Sequence, residues 1–148
     1  MSAANVSPVN ELTFRICYAD TDAGGVVYYG NYLRFLEQGR TALLRQMGWK
    51  IEELHRDGII FPVHELNVLY KSPATLGEEI RVRTHLVEIN RFSLRFRTEI
   101  ESIQTDRILV QAQVTNACIN EAGKIQKIPD AMREVLEKAL NGKSDATS

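Results

Sequence analysis

The chain reads as an α+β domain, five antiparallel strands packed against one long helix. Three observations predict it. Apolar side chains between 31 and 48 recur every three to four residues, the period of a helix with one buried stripe. From 61 onward the pattern switches to alternation, the period of strands with one buried face. The links between the later strands are short, which favours antiparallel neighbours, and a helix laid on such a sheet makes a layered α+β domain.

The elements follow in order. Segment 11–18 alternates Leu12, Phe14, Ile16 and Tyr18 against Thr13, Arg15 and Cys17, a half-buried strand. The cluster ADTDAGG after it is a turn or loop. The long helix runs over 31–48, with Asn31 as its N-cap, Gly48 as its terminator, and Tyr32, Leu36, Leu43 and Met47 on its stripe. Gly39 inside that helix costs about 1 kcal/mol against Ala, so a glycine there marks the close approach of another backbone or a ligand. A second short helix fits 50–57. Strands are expected at 61–71, 78–89, 92–103 and 107–120, with turns at Asn90-Arg91 and Gln104-Thr105-Asp106. In 92–103 the inward set is Phe92, Leu94, Phe96 and Ile100. In 107–120 it is Ile108, Val110, Ala112 and Val114, with Leu109 on the opposite face. A last helix, 129–140, has Pro129 in its first turn, a stripe of Met132, Val135, Leu136, Ala139 and Leu140, and Gly142 beyond. The folded domain is 11–141; residues 1–10 and 142–148 read as flexible tails. One sheet face or edge is left uncovered, and a homodimer or homotetramer is the simple solution.

Composition narrows the function. The chain has 148 residues, 44% of them apolar and 25% charged, which excludes a wholly disordered protein. Its formal net charge of -1 gives no general attraction to nucleic acid or anionic membrane. The start, MSAANVSPVNE, carries no basic segment followed by an apolar run, so no secretory signal is expected and the cytoplasm is the expected compartment. Cys17 and Cys118 read as buried reduced thiols without CxxC spacing. His55, His64 and His85 are scattered, with no i, i+4 pair, so no metal is expected; His55 reads as a surface residue and His64 as a strand residue facing a pocket.

The chemistry-bearing stretch is Tyr18-Ala19-Asp20-Thr21-Asp22-Ala23-Gly24-Gly25-Val26-Val27-Tyr28-Tyr29-Gly30-Asn31-Tyr32, which joins a strand to the long helix. Two carboxylates and two glycines precede a helix start within about ten residues. Free N–H groups at a helix start hold a developing oxyanion, and glycines admit a substrate close to the backbone. A nearby carboxylate attacks a carbonyl or takes a proton from water. Capping and turn formation explain the same Asp residues without any chemistry. Neither GxGxxG nor GxxxxGK[ST] is present, and acidic neighbours repel phosphate.

The D-x-D-x-x-G-x-V string with its aromatics and Asn-Tyr resembles the signature of hotdog-fold acyl-CoA thioesterases of the 4-hydroxybenzoyl-CoA thioesterase class. YADTDAGGVVYYGNYLRFLEQGRTALLR is most similar to the Tol–Pal-associated, YbgC-type subfamily. Similarity continues in Tyr70-Lys71-Ser72-Pro73-Ala74 and in Arg91-Phe92-Ser93-Leu94 with Phe96, over roughly residues 12–130. The resemblance implies a long helix wrapped by a curved antiparallel sheet, hydrolysis of an acyl-CoA without a cofactor, and a site at an oligomer interface. It implies Asp22 as the catalytic carboxylate and Asp20 as structural. A backbone N–H at Tyr29, where the subfamily often has His, would polarise the carbonyl. Tyr18, Gly24 and Gly25 would contact the substrate, and Arg91 the CoA phosphates, within a basic group that also includes Lys71, Arg81, Arg83, Arg95 and Arg97. It also implies peripheral association with the inner membrane or envelope machinery. The alternatives are an aromatic acyl-CoA hydrolase, acting on hydroxybenzoyl or dihydroxynaphthoyl groups, and a non-catalytic acyl-binding module.

Overall fold

A computed structural model describes residues 8–141. Strand β1 (Val9–Arg15) leads through two 3-10 turns, Tyr18–Asp20 and Tyr29–Asn31, into helix α1 (Tyr32–Gln46) and short helix α2 (Ile51–Arg56). Strands β2 (Val63–Tyr70), β3 (Glu79–Ile89), β4 (Ser93–Ser102) and β5 (Ile108–Ala117) follow, then helix α3 (Asp130–Leu140). The five strands form one sheet in the order β1-β3-β4-β5-β2, every pair antiparallel. The α+β prediction holds. Consecutive strands are not always neighbours, however: β2 pairs with β5 at the far edge, so the 71–78 link crosses the sheet end.

Register stacks the buried faces. Leu12 lies opposite Val82, Val82 opposite Ile100, and Ile100 opposite Val110. Helix α1 lays Phe35, Leu36, Leu43 and Leu44 onto this face, all nearly solvent-free. The approach is close at Gly39, where a Cβ would stand 2.2 Å from Thr84 Oγ1. The glycine marks a close approach, and the neighbour is β3. A second apolar cluster joins Leu43, Leu86, Phe96 and Cys118 to Met132 and Leu136 of α3. Helix α1 ends at Met47, with Gly48 at φ +100 and the Trp49 N–H donating to the Leu44 carbonyl at 2.8 Å, a Schellman closure.

Several local expectations are corrected. β1 begins at Val9, inside the expected tail, and ends at Arg15, so Tyr18 lies in a 3-10 turn and is 82% exposed. Cys17, beyond the strand, is exposed; Cys118 is buried, which pushes its thiol up to about 11. Phe92 precedes β4 and Val135 sits on the outer side of α3; both are exposed. His64 is exposed on β2 rather than facing a pocket. Leu109 turns inward because the register slips between Ile100/Val110 and Glu101/Ile108, leaving it as the extra residue of a bulge. Pro129 stands at the N-cap of α3 instead of in its first turn. Asn31 occupies the N-cap of α1, but its side chain bonds elsewhere. Residues 1–7 and 142–148, assigned to tails, lie outside the described residues.

Candidate active site

The loop between β1 and α1 is a small hairpin. Thr21 bridges Val27, the Asp22 N–H donates to the Val26 carbonyl at 2.9 Å, and the Gly25 N–H donates to the Asp22 carbonyl at 3.1 Å. Gly25 has φ +81, a left-handed conformation that favours glycine. Val26 bridges Thr75 and the Val27 N–H donates to the Ala74 carbonyl, which ties the hairpin to the 71–78 link.

Asp20 is the keystone of this loop. It is buried, and its carboxylate accepts bonds from the Cys17 N–H at 2.9 Å, the Cys17 thiol at 3.3 Å and Arg34 Nη2 at 3.1 Å. Burial by itself would raise its pKa. The Cys17 donors and the Arg34 guanidinium outweigh that and hold the carboxyl below its ordinary value. Its backbone carbonyl accepts from Tyr28 N–H at 3.1 Å and Asn31 Nδ2 at 2.8 Å. Asn31 therefore fastens the loop to the helix start rather than capping α1.

Asp22 is different: its side chain is exposed. Oδ1 accepts the Gly24 N–H at 2.8 Å, which orients the carboxylate, and Oδ2 has no partner among the described residues. The N–H groups of Gly24 and Gly25 are thus both taken by Asp22. These glycines build the turn and leave only their missing side chains for a substrate to approach.

The 3-10 turn that opens at Tyr29 runs directly into α1. The Tyr29 and Gly30 N–H groups come first in it and lack intrahelical acceptors by position. Neither donates to another described residue. Beside them is a cleft of about 220 Å³, lined by Val27, Tyr29, Tyr32, Tyr70, Ser72 and Pro73 among others. Tyr70 OH donates to the Tyr29 carbonyl at 3.2 Å, and the Tyr32 hydroxyl accepts the Ala74 N–H at 3.1 Å. Tyr29 stacks on Tyr28 with ring centroids 4.7 Å apart. The Leu109 bulge fixes the far wall, its carbonyl accepting the Lys71 and Ser72 N–H groups. Tyr70 and Tyr32 carry no sequence signal for this role beyond their place in the resemblance, because the cleft forms only when β2 and α1 converge.

Other expected site residues lie elsewhere. Arg91 is exposed at the β3–β4 turn, its guanidinium 5.5 Å from the Phe92 ring centre. The 11 residues of β3 separate it from the Asp22 end of the sheet by about 35 Å, so the two share no site within one chain. Arg83 is bonded to Glu11 at 2.7 Å, Arg95 to Glu88 at 2.6 Å, and Arg81 to Glu101. Arg91, Arg97 and Lys71 have no carboxylate partner among the described residues.

The Asp22 carboxylate, with one free oxygen, and two amide donors without acceptors among the described residues share one strand-to-helix loop over a helix-wrapped antiparallel sheet, the architecture of the hotdog fold. The chain belongs to the Thioesterase-like superfamily, whose family model matches residues 18–136. It is 33% identical over 106 residues to the acyl-CoA thioester hydrolase YbgC of Escherichia coli, covering 72% of this chain and 78% of the relative. It is 30% identical over 113 residues to the putative acyl-CoA thioesterase YneP of Bacillus subtilis, covering 76% and 81%. The DHNA-CoA thioesterase of Staphylococcus aureus shares the fold with a TM-score of 0.86 at 24% identity, covering 93% of this chain and 95% of that one.

Proposed function

We propose that the chain hydrolyses acyl-CoA thioesters, with Asp22 as the catalytic carboxylate and the Tyr29 N–H, seconded by that of Gly30, as the oxyanion donor. The free Asp22 Oδ2 in the same loop as the two unoccupied N–H groups carries this reading. Water adds to the carbonyl carbon, the C–S bond breaks, and the free acid and CoA thiol leave. A thioester carbonyl receives little electron density from sulfur, so one carboxylate and an oxyanion site suffice. The unpartnered oxygen suits both attack on the carbonyl carbon and removal of a proton from water. Only the backbone of Tyr29 is needed, so the role survives the replacement of His by Tyr.

The working unit is a homodimer built on the β2 edge. β2 is exposed on both faces except at Val68, and it presents Val63, Leu66, Leu69 and Tyr70 to solvent. Two-fold pairing of this edge runs the strands antiparallel and covers them. It also brings Arg91 of the second copy toward the cleft of the first, where it can meet CoA phosphates. Tyr18 stands exposed at the loop and lines the substrate path only in such an assembly. Among the described residues no helix is long and apolar enough to cross a membrane. The expected compartment is the cytoplasm, with any envelope contact peripheral.

Asp22→Asn is the test. The Asn oxygen still accepts the Gly24 N–H, so the loop keeps its shape. Thiol release from a panel of acyl-CoAs should fall at least ~100-fold. Turnover near that of the unaltered protein would refute the assignment.

A further inference from the structure

A second cavity of about 220 Å³ lies between α1, the start of α2, the 61–63 segment, and strands β4 and β5. Its walls are half apolar, with Leu44, Phe61, Leu94 and Phe96 among them, and half polar. Glu37, Arg40, Thr41 and Asn116 supply its polar groups, and of these Arg40 and Asn116 are the buried ones. Arg40 projects from the buried stripe of α1, is only 9% exposed, and has no hydrogen bond or ion pair among the described residues. Asn116 of β5 is 5% exposed; its Nδ2 donates to the Phe61 carbonyl at 2.9 Å, which fixes the amide orientation. Its Oδ1 is then a buried acceptor with no partner.

A buried acceptor without a partner is rare, and Asn116 Oδ1 carries a desolvation cost that a ligand can remove. Of the two buried groups, the Arg40 guanidinium only donates and Asn116 Oδ1 only accepts, with Glu37 and Thr41 on the same wall. A carboxylate satisfies Arg40 but sets its oxygens against Asn116 Oδ1. A methyl group satisfies neither. A hydroxyl does both, its oxygen accepting from the guanidinium and its proton going to the amide oxygen. A dry cavity of about 150 Å³ holds a benzene ring, so this one holds a compact group of about six carbons and no long chain.

Position links the cavity to the catalytic loop. Val63 borders the cavity and Tyr70 borders the Tyr29 cleft, at opposite ends of β2. Within one chain Arg40 lies eight residues along α1 from Tyr32, about 12 Å, beyond the reach of a compact acyl group. Antiparallel pairing of two β2 edges sets the Val63 end of one copy beside the Tyr70 end of the other.

We propose that Arg40 and Asn116 form a specificity subsite that reads a hydroxyl on the far end of a compact acyl group held at the second copy's cleft. The proposal rests on the acyl-CoA reading above. The test compares kcat/KM for acyl-CoA pairs differing by one hydroxyl: 6-hydroxyhexanoyl against hexanoyl, and 4-hydroxybenzoyl against benzoyl. The unaltered protein should favour the hydroxylated member of at least one pair by ~10-fold or more, the worth of a hydrogen bond to a charged group. In Asn116→Leu, which removes the acceptor for the hydroxyl proton and leaves Arg40, that ratio should fall several-fold. Equal ratios in the unaltered protein, or a preference untouched by the substitution, overturn the subsite. A titration of the unaltered protein with phenol and with toluene, followed by NMR at the Asn116 side-chain amide, is independent of turnover and of the variant's folding. Tighter binding of phenol supports the subsite, and equal or weaker binding overturns it. Failure to cleave any CoA ester overturns the thioesterase reading, while the phenol and toluene comparison still decides whether the cavity reads a hydroxyl.

Discussion

Gly39 sets how closely α1 lies on the sheet, and its replacement by Ala gives a calculable result. The new Cβ would stand 2.2 Å from Thr84 Oγ1 and 3.3 Å from Val82 Cγ1. A relaxed carbon-to-oxygen contact needs roughly 1 Å more than the first of these. Thr84 is fully buried, so its hydroxyl has little room to turn away. Moving α1 outward instead loosens Leu36 and Leu43 against β3. Overpacking of this kind costs about 1–3 kcal/mol, and the gain in helix propensity from Gly to Ala returns about 1 kcal/mol. The expected net loss is about 1–2 kcal/mol. Thr84→Ala removes the clashing atom, leaving the former Thr84 Cβ at an ordinary 3.5 Å. In that background Gly39→Ala should be neutral or stabilising, giving a coupling of about 2 kcal/mol. Urea denaturation of the four proteins measures it. An equal cost of Gly39→Ala in both backgrounds would refute the steric account.

Two further expectations follow from the loop and the basic residues. Asp20→Asn should destabilise by about 2 kcal/mol at pH 7, since hydrogen bonds to a charged acceptor are lost. The folded carboxyl of Asp20 titrates below its unfolded counterpart, so its contribution is present above the unfolded pKa and fades as pH falls through the folded one. Urea midpoints of the two proteins should therefore converge as the pH falls below the ordinary carboxylate range; a gap of constant size would show that the ionised group is not what stabilises the loop. Arg91→Ala should raise KM for acyl-CoA and weaken inhibition by CoA, with little effect on a simple thioester that lacks CoA. An equal effect on both substrates would remove Arg91 from the phosphate contacts.

The amino-acid order alone determines what depends on near neighbours. Period 3.6 over 31–48 and period two from 61 onward reveal α1 and the later strands, because each element must bury one face whatever lies across from it. The positive φ at Asp106 lies inside the Gln104–Asp106 turn that residue chemistry predicts, and Gly48 closes α1 as expected. The Asp22 loop is legible because its residues are contiguous. What tertiary structure decides is everything set by long-range pairing. The placement of β2 beside β5, the inward turn of Leu109, and the separation of Arg91 from Asp22 all follow from register and strand order, to which a local pattern is blind. Arg40 left a trace, a charge on the apolar stripe four residues after Leu36. Its meaning emerges only when β5 delivers Asn116 to the same cavity.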